Sequence, residues 1–354
     1  MADFTPGLEL NAAFYADVVE PLIRPFRHSA ALLGWGSDVL GYDTSRSTDH
    51  GWGPRLQIFV DNHDVSAVTQ VLDDGLPATF RGWDVAYGWD DERVQHHVEV
   101  VDIGSWLAGQ LGLDPRPVMR VVDWLVVPQQ QLLGVVRGAV YADPDGELGS
   151  VREALAYYPD HVWRWILACQ WQRLSQEEHF VGRTAEVGDQ LGSQLVAGRL
   201  VRELMRLAFL IERTYWPYSK WFGTAFAALP VAADLHAPLE AAIAATGFPV
   251  RQEALVEAFE LLARRHNELG LHEPLDARVR PFHNRPFRVL ASERFAHACR
   301  AGIADGFLRQ LPLVGSVDQF VDATDVLAQG RARRLVALYA DERSTGPSRE
   351  RPEN

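Results

Sequence analysis

Several groups in this chain have the types and spacing to act on a phosphorylated ligand. Gly36-Ser37 follows the apolar run Ser29 to Trp35. A turn of two small residues lets backbone amides approach a ligand closely, with the serine hydroxyl as an added donor. Asp49 returns after eleven intervening residues, just ahead of Gly53 to Val60, which reads as a strand. Amides on one side and a carboxylate on the other suit a metal-bound triphosphate, because Mg2+ takes one or two carboxylates and completes its octahedron with phosphate oxygens and water. A negative ligand alone would not need the carboxylate. Farther on, YWPYSKW (Tyr215 to Trp221) sets Lys220, the single lysine among 34 basic residues, beside aromatics. Tyr218 and its neighbours could stack on a base while the compact ammonium meets phosphate, or they could be core with Lys220 in solvent. Arg183 is a further candidate phosphate contact. Arg199, Arg202 and Arg206 fall on one helix face, either solvated or a local phosphate pocket.

The elements that must position these groups follow from periodicity. Leu8 to Ile23 has apolar residues at helical spacing, Asp64 precedes a second helix, and Val94 to Ile103 reads as a strand leading into a helix through Leu111. Leu132 to Asp143 is expected to be a strand ended by the PDGE turn. From Val151 the period changes to that of helices, over His161 to Glu178, Gln190 to Arg213, Leu239 to Ala245, Arg251 to Leu269 and a final portion from Ser292 to about Leu338. The expected organisation is a sheet-containing domain over 1–150, a mainly helical domain over 151–343, and a polar tail, 344–354, without fixed structure.

The stretch LGWGSDVLGYDTSRSTDHGWGPRLQIFV (Leu33 to Val60), with a Gly-Ser turn and an acid about ten residues on, resembles the nucleotidyltransferase superfamily. With GRTAEVGDQLGSQLVAGRLVRELMRLAFLIERTYWPYSKWF (Gly182 to Phe222) and GSVDQFVDATDVL (Gly315 to Leu327), it is similar to the bacterial nucleotidyltransferase-like proteins carrying the domain of unknown function DUF4037, from about Pro21 to Tyr339. The resemblance implies an α+β fold, with a nucleotidyltransferase-like mixed-sheet domain followed by a helical one. It also implies transfer of a nucleoside monophosphate from a nucleoside triphosphate (NTP) to a hydroxyl acceptor, most readily a small molecule, assisted by Mg2+. Asp49 would hold the metal. Glu99, an acid between two valines, matches the local pattern of the superfamily's third carboxylate and would complete the metal site or act as base.

The superfamily pattern places two acids one position apart on one face of a strand, and here the second position is Gly51. Three possibilities stand: one metal, substitution by Asp38, Asp43 or Asp61, or a degenerate site. Asp38 could equally cap a helix, and His50 would pack or hydrogen-bond. Asp318, Asp322 and Asp325 would cap or pair with arginines, or meet a cationic substrate. The competing functional readings are a nucleotide-binding or regulatory protein without catalysis, and a partner-binding protein without nucleotide.

Composition narrows the setting. A net charge of −13 argues against a phosphate-tracking surface for long nucleic acid. There is no run of eighteen apolar residues and no basic-then-apolar N-terminus, so a cytoplasmic protein with no membrane span is expected. Cys169 and Cys299 lie far apart without metal spacing and are expected in the core.

Overall fold

A computed structural model describes residues 3–89, 93–328 and 331–339; the expected tail, 344–354, lies outside them. The chain opens with α1 (Gly7–Phe14), which continues through a π-helical stretch (Tyr15–Val19) into α2 (Glu20–Ile23). Then come β1 (Ser29–Leu32), the short α3 (Ser37–Leu40), β2 (Arg55–Phe59) and α4 (Val65–Gly75). A small ribbon of β3 (Thr79–Phe80) and β4 (Trp83–Asp84) precedes β5 (Ala86–Tyr87) and β6 (Gln95–Val101). After α5 (Ile103–Leu111), α6 (Val121–Val126) and α7 (Gln129–Val136), the sheet is closed by β7 (Ala139–Ala142).

The strand order is β5-β6-β2-β1-β7, with β2 and β6 parallel and the other pairs antiparallel, a mixed sheet. Because strand side chains alternate, each strand feeds both faces. Leu56, Ile58 and Val98 pack with Leu10, Phe14, Val19 and Ile23 from the N-terminal helix and with Val68 and Leu72 of α4. Ala31, Leu33 and Phe59 face the other way, into a second and larger core.

That second core continues into the helical half. Its elements are α8 (Glu147–Ala154), α9 (Asp160–Glu177), α10 (Phe180–Glu186), α11 (Gln190–Ile211), α12 (Ser219–Ala227), α13 (Ala232–Ala244) and α14 (Phe248–Glu268). The ribbon of β8 (Arg280–Pro281) and β9 (Arg288–Val289) leads to α15 (Glu293–Ala301) and three short helices, α16 (Gly306–Gln310), α17 (Val317–Phe320) and α18 (Thr324–Ala328). Trp163, Trp165 and Trp171, on three sides of α9, are all fully buried, so α9 is enclosed by its neighbours. The fold is α+β. The change from sheet to helix falls near α8, yet the apolar core does not divide there.

One expected element differs. Leu132 to Val136 is helix, and only Ala139–Ala142 of the expected strand is strand. A five-residue apolar run has the same appearance in either state, and here α7 is buried along one side against the turn after β1. The final portion from Ser292 is helical as expected, in short pieces that end in a 3-10 stretch, Arg331–Tyr339. Pro312 and the left-handed Gly315 interrupt it. Among the described residues no helix is long and apolar enough to cross a membrane.

Candidate functional site

The turn after β1 is built from close backbone contacts. The Gly34 N–H donates to the Gly134 carbonyl of α7 (2.8 Å), and a Cβ on Gly134 would stand 2.5 Å from the Gly34 oxygen. Gly36 has φ of +128° and leads directly into α3. Beneath it lies an ion pair. Arg55, the first residue of β2, donates from Nε and Nη2 to the Asp38 carboxylate (3.0 and 2.8 Å) and from Nη2 to the Trp35 carbonyl (2.7 Å). Both side chains are buried, and a Cβ on Gly36 would meet Asp38 Oδ1 at 2.2 Å and Arg55 Nη2 at 2.5 Å. The glycine is required here by the pair below it as well as by its own φ. Burial works against the Arg55 charge, and the Asp38 carboxylate more than restores it.

The face of the sheet beside this turn is polar at its open end. Arg55 and Gln57 on β2 stand in register with His97 and Glu99 on β6. Gln57 Oε1 accepts the Leu33 N–H (2.9 Å), which ties β2 to the end of β1. Glu99 is exposed as a residue, but its carboxylate leans toward Gln57 and Trp106. Burial there pushes its pKa up, and the Gln57 amide and Trp106 indole pull it back down. Trp106 is itself 3% exposed, and its N–H lacks a partner at full hydrogen-bond geometry, so a donor remains beside the carboxylate.

Asp49 and Gly51 do not lie on a strand. Asp49 ends an exposed 3-10 turn, Ser47–Asp49, and its carboxylate makes no hydrogen bond or ion pair with the described residues. The strand begins at Arg55, later than expected, because Gly51 and Gly53 adopt φ of +61° and +151° and Pro54 follows. The residues that alternate off the strand toward the site are therefore Arg55 and Gln57. A Cβ on Gly51 would lie 2.9 Å from Cη2 and Cζ3 of Trp35, so the indole occupies the place of the missing side chain. Trp35 is 52% exposed, its ring centroid is 5.8 Å from that of Trp89, and the Arg55 guanidinium lies 5.1 Å from it. His50 and His97 also pack on Trp89, at 5.8 and 5.0 Å, extending an aromatic wall along the opening.

None of the three stand-in acids is placed to replace the missing carboxylate. Asp38 is committed to Arg55. Asp43 accepts from the Gly7 N–H (2.7 Å) and the Trp52 indole (2.9 Å), clamping its loop to α1. Asp61 follows the far end of β2, roughly 17 Å along the strand from the turn. Tyr218 and Lys220 are exposed at the start of α12. The Tyr218 N–H donates to Gln130 Oε1 (2.8 Å), and Lys220 Nζ lies 5.0 Å from the Trp221 ring. Trp221 in turn packs on Tyr42 (5.4 Å), which sets the start of α12 beside the loop that follows Ser37.

Arg183 is elsewhere. It stacks on Phe180 (5.8 Å) in α10, which the Ser193 hydroxyl ties to the beginning of α11 (3.0 Å). The 22 residues of α11, about 33 Å at helical rise, separate that end from the segment carrying Tyr218 and Lys220. One pocket does not take both. The arginine stripe is ion-paired: Arg199 to Glu177 (2.9 Å), Arg206 to Glu203 (2.9 Å), and Arg202 to Asp322. Asp318 is buried, accepts the Gln129 N–H (3.0 Å), and is pushed up to about 6 by burial.

One cluster drew nothing from the sequence, because its members are scattered along the chain. His266, His272 and Cys299 bring three potential metal-ligand atoms within 4.8 Å of one another. The hydrogen bonds argue against a metal. Trp171 Nε1, which can only donate, gives its proton to His266 Nδ1 (3.0 Å). His266 Nε2 therefore carries the ring proton and donates to His272 Nε2 (2.9 Å), whose Nδ1 donates to the Glu273 carbonyl (2.8 Å). Ligation through His266 Nε2 would need its other nitrogen protonated, and the indole forbids that. Both cysteines are buried, as core residues.

Residues 124–222 match the model of the domain of unknown function DUF4037. The Gly182 to Phe222 motif lies inside that span; the Leu33 to Val60 and Gly315 to Leu327 stretches lie outside it. A solved structure of a nucleotidyltransferase-like protein from Exiguobacterium sibiricum 255-15 is similar at 11% identity and a TM-score of 0.35, over 74% of this chain and 77% of that one. No curated protein matches the chain.

Proposed function

We propose that this chain binds a nucleoside triphosphate at the Gly36-Ser37 turn without transferring its nucleotidyl group. The observation that carries the reading is at position 51: a glycine at φ +61° whose side-chain space holds the edge of Trp35. A two-metal centre needs carboxylates converging on both ions. Here, among the described residues, Glu99 is the one carboxylate on this sheet face, Asp49 sits on an exposed turn, and the positions that alternate off β2 are Arg55 and Gln57. The residues do not fit a complete Mg2+ centre. What they support is amide and hydroxyl contact with phosphate from the turn, stacking of a base on the half-exposed Trp35, and a cation, Lys220, on the segment that packs beside the loop after Ser37.

The test is calorimetric titration with each of the four ribonucleoside triphosphates, with and without Mg2+, together with an assay for released pyrophosphate. Micromolar binding that Mg2+ does not strengthen, weakened by Trp35→Ala, is the expected result; no binding of any triphosphate would overturn the reading. The second reading is a transferase using one metal, favoured by an Asp49 carboxylate with no ion pair, and a Glu99 carboxylate with no cation, among the described residues. It requires binding that Mg2+ strengthens, and pyrophosphate release lost in Asp49→Ala.

A further inference from the structure

A separate cavity of about 150 Å3 lies between the sheet half and the helical half of the molecule. Leu40 and Tyr42 form one wall, Leu133 and Arg137 of α7 a second, and Phe209 and Leu229 belong to the helical side. The polar side-chain groups of the lining are the hydroxyls of Tyr42, Thr214 and Tyr215 and the Arg137 guanidinium. Thr214 donates to the Glu212 carbonyl (3.1 Å) and Tyr215 to the Leu155 carbonyl (3.3 Å), and Arg137 is the charged residue of the lining.

Arg137 is among the described arginines without a carboxylate partner, in a chain where acids outnumber bases 47 to 34. Its guanidinium makes no ion pair or hydrogen bond with the described residues. Nor is it needed at the end of α7. Arg152 already donates to the carbonyls of Val135 (3.0 Å), Val136 (2.9 Å) and Arg137 (2.9 Å). No acidic side chain is among the residues that line the cavity. The molecule therefore has a mainly apolar cavity with one planar cation, the exposed Arg137, at its edge, whose fork of donors matches a carboxylate.

We propose that this cavity binds a small carboxylic acid with an apolar, ring-sized body, its carboxylate on Arg137. The volume matches that of engineered apolar cavities of about 150 Å3 that take up benzene. A phosphate would meet one cation and little else, since Pro217 and Pro230 in the lining offer no N–H. The inference does not rest on the nucleotide reading: the lining shares Leu40 and Tyr42 with the segment after Ser37, but Arg137 has no part in that reading.

The experiment uses the full chain with benzoate as the probe, benzyl alcohol as its neutral counterpart and acetate as the carboxylate without a ring, followed by calorimetry and thermal shift. Benzoate is expected to bind saturably and more tightly than acetate. Arg137→Gln should weaken benzoate by at least about tenfold, the effect of losing a charge-assisted pair, and leave benzyl alcohol within about twofold. Ala228→Phe, at an exposed position on the rim, should abolish both without lowering the melting temperature. Equal binding of benzoate and acetate, undiminished benzoate binding in Arg137→Gln, or no saturable benzoate binding in the wild type would each overturn the proposal.

Discussion

Putting an acid back at position 51 tests whether Trp35 is what keeps the metal centre incomplete. Gly51→Asp places an L-residue at φ +61°, a left-handed conformation that costs about 1 kcal/mol for Asp, which tolerates it better than most residues. The new Cβ falls 2.9 Å from the Trp35 ring, and since that ring edge is the end of a half-exposed side chain, the ring must swing away. Its departure forfeits the Trp89 contact at 5.8 Å and the Arg55 contact at 5.1 Å, together about 1–2 kcal/mol. The single variant should thus lose about 2–3 kcal/mol. In a Trp35→Ser background the ring contacts are already gone, and Gly51→Asp should cost only about 1 kcal/mol more. Urea unfolding of the four proteins measures this cycle, with a coupling of about 1–2 kcal/mol expected at unchanged m-values. The functional half is calorimetry: the double variant should show triphosphate binding that Mg2+ strengthens, where the wild type shows none. Equal costs of Gly51→Asp in both backgrounds would refute the claim that Trp35 fills the site. Mg2+-dependent binding in the wild type would refute the claim that the centre is incomplete.

Other variants probe other parts of the argument. Arg55→Met leaves the Asp38 carboxylate buried and unpaired and should cost about 3–5 kcal/mol by urea unfolding, whereas the Asp38→Asn, Arg55→Met double variant should cost clearly less than the two singles summed. Glu178, buried while accepting from the Leu290 N–H (2.8 Å) and Ser292 N–H (2.9 Å), is pushed up by burial to about 7. The folded state therefore keeps a proton that the unfolded chain releases above its ordinary value of 4.5, so stability should be greatest below that pH and fall by up to about 3 kcal/mol as pH rises to 7. Glu178→Gln should remove this slope in unfolding measured from pH 5 to 8, leaving a smaller one below pH 6 from Asp318. Finally, Zn2+ or Co2+ should not bind the wild-type His266, His272 and Cys299 cluster, while Trp171→Phe, which lets His266 Nδ1 carry a proton, should admit it; a Co2+ thiolate band in the wild type would show the hydrogen-bond argument wrong.

What the sequence conveyed about the site depended on how local each feature is. The Gly36-Ser37 turn, the strand carrying Glu99 and the long helices could be read because a period or a pair of small residues carries the signal within one turn or strand. The length of α11 was readable too, and with it the separation of Arg183 from Lys220, although the arginine's type alone invited a shared pocket. The strand expected over Leu132 to Val136 failed because a short buried apolar run looks the same in either state; what decides it is Gly134, whose lack of a Cβ lets α7 approach the Gly34 carbonyl. Other features were out of reach for a different reason. Asp38 and Arg55 are seventeen residues apart and meet only once β1 and β2 pair, so each looked like a separate candidate or like nothing at all. Trp106 gave no sign that its indole would face Glu99 across two elements. An arginine opening an otherwise fully buried strand was the one available hint that a partner had to be waiting, since a guanidinium at that depth needs a carboxylate. Following that hint removes Asp38 from the metal ligands by charge balance alone. With Asp38 already spent, the glycine at position 51 becomes a deficit that no neighbouring acid among the described residues makes good.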